Sequence, residues 1–135
     1  MSHELRKTHH IKGQQMNAFV SVSEIIPFTA PDGARVQQIA GRSEGVTSHS
    51  LAIISHPAGT ASIEHHHSRA DEVYLVWRGR GYVRVDGETR DVGPGDAVTI
   101  RPGQRHKVWN DDSEDLVLIV SCAPAYQVDE VVWDE

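Results

Sequence analysis

The chain has 135 residues, 39% hydrophobic and 24% charged, which suits one soluble globular domain and leaves no room for two of ordinary size. The formal net charge of −6 argues against nucleic acid as a partner, because proteins that bind it present a basic face. No stretch approaches the roughly 20 apolar residues of a membrane span, and the single cysteine excludes an intrachain disulfide.

Residues 1–20 read as a weakly ordered N-terminal arm. They show neither an apolar core nor a small-residue cleavage site of a secretory signal, so the expected location is cytoplasmic. His9 and His10 are only a pair, which argues against an affinity tag. Residues 21–135 read as a single domain without linker or low-complexity segment.

Helical periodicity is missing from that domain. Short apolar-polar runs predict strands over 36–39, 50–55, 61–67, 72–78, 82–85, 88–92, 97–100, 106–110 and 116–122. Regular short strands separated by Gly, Pro, Asp and Asn predict an all-β sandwich or barrel. The Asp86-Gly87 pair predicts a type I′ hairpin, since Asp-Gly readily takes two successive positive φ angles. Cys122 lies in the apolar run 116–122 and reads as a small buried hydrophobe. The tail 126–135 mixes Val128, Val131, Val132 and Trp133 with acidic residues. It either folds back over the barrel or makes a subunit contact.

The chain holds nine histidines, three of them consecutive in IEHHHSRADE. Strand alternation divides that triplet, because side chains at i and i+2 share a face. His67, His65, Ile63 and Ala61 are expected to face inward, and His66, Glu64 and Ser62 outward. Two inward imidazoles about 6–7 Å apart at the Cα can converge on one ion. The turn Ser68-Arg69-Ala70-Asp71 then leads into a strand beginning at Glu72, expected to lie beside the first and to return a carboxylate to the same ion. His106 opens a later strand and adds a third imidazole if the barrel closes. Without that closure the cluster reads equally as a polar strand end.

The wider spacing resembles a known family. Gly59, His65, His67, Glu72 and Gly79 follow G-x5-H-x-H-x4-E-x6-G, which is similar to the first conserved motif of the cupin superfamily. Gly95, Gly103, His106 and Asn110 match the second, G-x5-P-x-G-x2-H-x3-N, with Arg101 standing at the first proline position and Pro102 next to it. The resemblance implies an antiparallel double-stranded β-helix, the jelly-roll or cupin barrel. It implies one divalent metal ion (Fe, Mn, Ni or Zn) held by His65, His67, Glu72 and His106, and a homodimer as the expected assembly.

An open site of three imidazoles and one carboxylate is expected to serve a metal-dependent enzyme acting on a small-molecule substrate. An Fe(II)-type dioxygenase is the first reading. A redox-neutral isomerase, lyase or cyclase of a sugar-type or natural-product intermediate is the second, and a non-catalytic metal or small-molecule binder the third. Alternation from Glu72 turns Tyr74 and Val76 to the ligand side, where Tyr74 either donates a hydrogen bond or proton to substrate or fills the core. Val73, Leu75 and Trp77 make the other face of that strand apolar too, which predicts a cover from a second sheet or another subunit. Arg101 and Arg105 flank the Pro102-Gly103 turn and either grip a substrate carboxylate or lie on the surface.

Overall fold

The computed structural model describes residues 18–135. Most of the expected arm, residues 1–17, lies outside them. Among the described residues the strands are β1 (Phe28–Thr29), β2 (Arg35–Ala40), β3 (Ser50–His56), β4 (Thr60–Ala61), β5 (His65–His67), β6 (Asp71–Arg78), β7 (Gly81–Val85), β8 (Glu88–Val92), β9 (Ala97–Ile100), β10 (His106–Asn110), β11 (Leu116–Ala123) and β12 (Val131–Trp133). Among the described residues helix is confined to three-residue 3-10 turns, as the missing periodicity predicts.

The strands form two antiparallel sheets. The first has the order β1-β2-β3-β11-β6-β9, and the second β12-β5-β10-β7-β8, with β4 also pairing β10. The double-stranded β-helix of the sequence reading is therefore the observed architecture. The core lies between the sheets, where Val76, Ile100, Val108, Leu116 and Leu118 are buried. Each such side chain contributes about 1.5–3 kcal/mol by leaving water.

Alternation works where strands are continuous. In β6, Glu72, Tyr74 and Val76 are buried while Val73, Leu75 and Trp77 are exposed. The cover expected over that outer face is not supplied by the described residues: Trp77 remains 50% exposed. The Asp86-Gly87 hairpin is also as expected, with φ of 47° and 84° and Val85 opposite Glu88.

Alternation fails between 61 and 64. The expected strand 61–67 is two strands, β4 and β5, with a break between them. Ala61 is exposed and Ser62 is buried, the reverse of the expected facing. The cause is a bond within the second sheet: the backbone N–H of Val108 donates to Ser62 Oγ (2.9 Å), and Ser62 N–H donates to the Val108 carbonyl (2.8 Å). A second correction concerns β6. It does not lie beside β5, because the turn after His67 crosses from one sheet to the other.

Candidate metal centre

That crossing builds the site. His65 and His67 come from β5, and His106 from the neighbouring β10, where its Cα pairs with that of His65. Glu72 comes from the facing sheet, paired with Ile100 and Cys122. One potential ligand atom from each of the four residues lies within 4.8 Å of every other. His106, His67 and Glu72 are 0, 3 and 5% exposed, and His65 is the accessible member of the set.

The hydrogen bonds decide which imidazole nitrogens face the cluster. Nδ1 of His65 donates to the Ile63 carbonyl (2.8 Å), and Nδ1 of His106 to the Gln104 carbonyl (3.0 Å). A carbonyl only accepts, so the proton sits on Nδ1 and each Nε2 keeps a lone pair. Orienting ligand imidazoles through the other nitrogen is the usual way a protein fixes their tautomer. Nε2 of His106 lies 3.0 Å from Glu72 Oε1, and Nε2 of His67 lies 3.4 Å from it. All three atoms are buried without a hydrogen-bond partner. Lone pairs that close repel unless a proton or a metal ion lies among them. Separations of that size also suit ligand atoms each about 2.1 Å from a shared ion. The residues therefore fit a divalent cation.

The electrostatics agree. Burial raises the carboxyl pKa of Glu72, but the imidazoles of His106 and His67 close beside it outweigh that, and the pKa is lowered overall. Burial first, and His106 second, lower the pKa of His65 and favour the neutral imidazole that binds metal.

The other sequence candidates are placed differently. Tyr74 is 5% exposed, its ring 6.0 Å from that of His106. Burial, then the Glu72 charge, raise its phenol pKa well above the ordinary value, so it stays protonated. Arg101 and Arg105 are exposed and outside the cluster, Arg101 3.1 Å from Asp71 and Arg105 3.5 Å from Asp134. His66 points away from the cluster, its Nδ1 2.8 Å from Asp134 Oδ2. The sequence reading passed over two residues beside the ligands. Trp133 lies 5.4 Å from the His65 ring and Tyr126 lies 6.1 Å from the His67 ring. The short apolar run Val131-Val132-Trp133, set among acidic residues, was the available signal there.

The cupin domain family profile matches residues 52–122 of this chain. The chain belongs to the cupin superfamily. An uncharacterized protein of Methanocaldococcus jannaschii is 30% identical to this cupin over 105 residues, 76% of this chain and 83% of the relative. The tetracenomycin polyketide synthase protein TcmJ of Streptomyces glaucescens is 29% identical over 93 residues, 69% of this chain and 62% of that protein. Among solved structures, a single-substitution form of Streptomyces PAC13 with uridine superposes with a TM-score of 0.74 at 18% identity, covering 89% of this cupin and 92% of that chain. PAC13 is described as a nucleoside dehydratase. At that identity the likeness speaks for the fold alone.

Proposed function

We propose that this cupin is a metal-dependent enzyme acting on a small organic molecule, with one divalent ion held by His65, His67, Glu72 and His106. The observation that carries the reading is the buried set of partnerless polar atoms, His67 Nε2, His106 Nε2 and Glu72 Oε1, converging from two sheets. A divalent ion in that set supplies Lewis-acid polarisation of a substrate oxygen, and iron in it supplies dioxygen chemistry. The chain's own residues do the rest. His65 borders the accessible side, where substrate enters. Tyr74, held protonated beside Glu72, is the one phenol donor on the inward face of β6. Arg101 and Arg105, exposed and beside Asp71 and Asp134, are the further candidates to hold a substrate carboxylate.

Within this reading an Fe(II)-type dioxygenase is the first assignment, supported by the complete three-histidine, one-carboxylate set. A redox-neutral isomerase, lyase or cyclase is the second, since a divalent ion in the same set would polarise a substrate oxygen without any change of oxidation state. Elemental analysis of protein purified without added metal tests both. Iron together with oxygen uptake supports the first, and zinc without uptake the second. Metal content unchanged in both His65→Ala and His106→Ala would remove the centre itself. The same reading includes a homodimer, in which a second copy covers the outer face of Val73, Leu75 and Trp77, 39, 40 and 50% exposed. Light scattering of the purified protein tests that.

A further inference from the structure

The register of β12 decides which of its side chains meet the ligands. Trp133 pairs with His65 and Val131 with His67, whereas Val132 pairs with His66. Directly opposed residues in an antiparallel pair project to the same face. Trp133 and Val131 therefore share the ligand face of the second sheet. The segment is fastened at both ends to residues flanking β5: Asp134 N–H donates to the Glu64 carbonyl (2.8 Å), Ser68 N–H donates to the Glu130 carbonyl (3.1 Å), and Glu64 N–H donates to Glu135 Oε1 (2.9 Å). The ring of Trp133 is thus held beside His65, the accessible ligand.

Tyr126 approaches from the connection between β11 and β12, its backbone N–H donating to Ser50 Oγ (3.0 Å). Its ring meets that of His67 edge-on. Both aromatic residues stay accessible, Trp133 43% and Tyr126 40% exposed, whereas Val83 and Val108, inside the barrel, are 3 and 2% exposed. Aromatic side chains that served only as core filler would be covered.

We propose that Trp133 and Tyr126 form an aromatic wall on the open side of the ligand cluster and select a planar, conjugated ring as substrate. The inference rests on the metal-centre reading above. It assigns the substrate a flat π surface to lie against the wall and an oxygen to reach the ligands.

The test uses the full chain loaded with Co(II) and two probes, 4-nitrocatechol, a planar ring with two adjacent hydroxyl groups, and oxalate, a chelator without a ring. Binding is read by isothermal titration calorimetry. Trp133→Leu and Tyr126→Leu should each weaken 4-nitrocatechol about tenfold and leave oxalate within about twofold, while Trp133→Phe, which keeps a ring, should bind both nearly as the parent does. Unchanged 4-nitrocatechol affinity in both leucine variants would overturn the wall. Equal losses for the two probes would overturn it as well, and would show that the tail only holds the ligands. So would a change of oligomeric state in Trp133→Leu with no change in probe affinity, which would make the tail a subunit contact. If the parent protein binds no Co(II), the metal-centre reading itself falls, an outcome distinct from all of these.

Discussion

The Sγ atom of Cys122 lies 3.3 Å from Oε2 of Glu72, while Oε1 of the same carboxylate faces the imidazoles of His67 and His106. Burial, then the charge of Glu72, push the Cys122 thiol pKa up, so the thiol remains a protonated donor. One oxygen of the ligand carboxylate is thereby occupied and the other presented. Cys122→Ser, which keeps a donor, should retain metal affinity. Cys122→Ala should weaken it about tenfold, as is usual when a partner behind a ligand is lost. Competition against a chromophoric chelator measures this, and parental affinity in the alanine variant would exclude the role.

Gly79 is a motif position with a steric reason. Its φ is 82°, and a Cβ there would collide with the backbone carbonyl oxygen of Asp115. Gly79→Ala should cost at least about 2 kcal/mol, from the left-handed backbone and the clash together. Gly59 has a similar φ of 77° but open space around it. Gly59→Ala should cost only about 1 kcal/mol. Urea unfolding of the two variants makes the comparison, and equal costs would contradict it.

Asn110, the last residue of the second motif, serves the fold. It is 1% exposed. Its Nδ2 donates to the carbonyls of His56 (2.9 Å) and Glu114 (2.7 Å), and its Oδ1 accepts from Asp112 N–H (3.0 Å). Asn110→Ala should destabilise by about 1–3 kcal/mol through the partners left unsatisfied. Asn110→Asp should be worse, because a carboxylate cannot donate to two carbonyls. Metal stoichiometry should be unchanged in any folded fraction, and its loss would place Asn110 in the centre instead.

Acid sensitivity should come partly from His56. It is 6% exposed, and burial lowers its pKa below the ordinary 6.5, with Asp32 opposing the shift. The unfolded chain therefore takes up a proton at a higher pH than the folded one. Stability is complete above about 6.5 and is lost as the pH falls toward the folded pKa. His65 shifts in the same direction, so the metal-free protein should lose stability as the pH falls below the ordinary imidazole value of about 6.5. His56→Gln should make that slope shallower, as read from thermal midpoints across the range. An identical slope would assign the effect elsewhere.

What the sequence made legible follows from how local the cause is. Inward Glu72 and Tyr74, and the Asp86-Gly87 hairpin, depend on one strand or one turn, so alternation and φ preferences suffice. The cluster of His65, His67, Glu72 and His106 needed the motif spacing, because nothing near His106 announces that it pairs with His65 across the closed sheet. The facing of Ala61 and Ser62 was misread since its cause, the backbone of Val108, is remote in the chain. The position of β6 opposite β5 was misread because periodicity reports which face a residue occupies and not which sheet its strand joins. Trp133 was passed over for a similar reason: a three-residue strand in an acidic tail carries too little pattern to reveal its partner.

The strand that carries His65 and His67 is three residues long and has neighbours on both edges, β10 on one side and β12 on the other. It is a plank too short to stand alone, pinned along its length by strands from distant parts of the chain. The β12 edge carries no ligand. Sequence change in the tail can therefore reshape the approach to the centre and leave its coordinating atoms untouched, so that descendants of one metal site could diverge in what they accept.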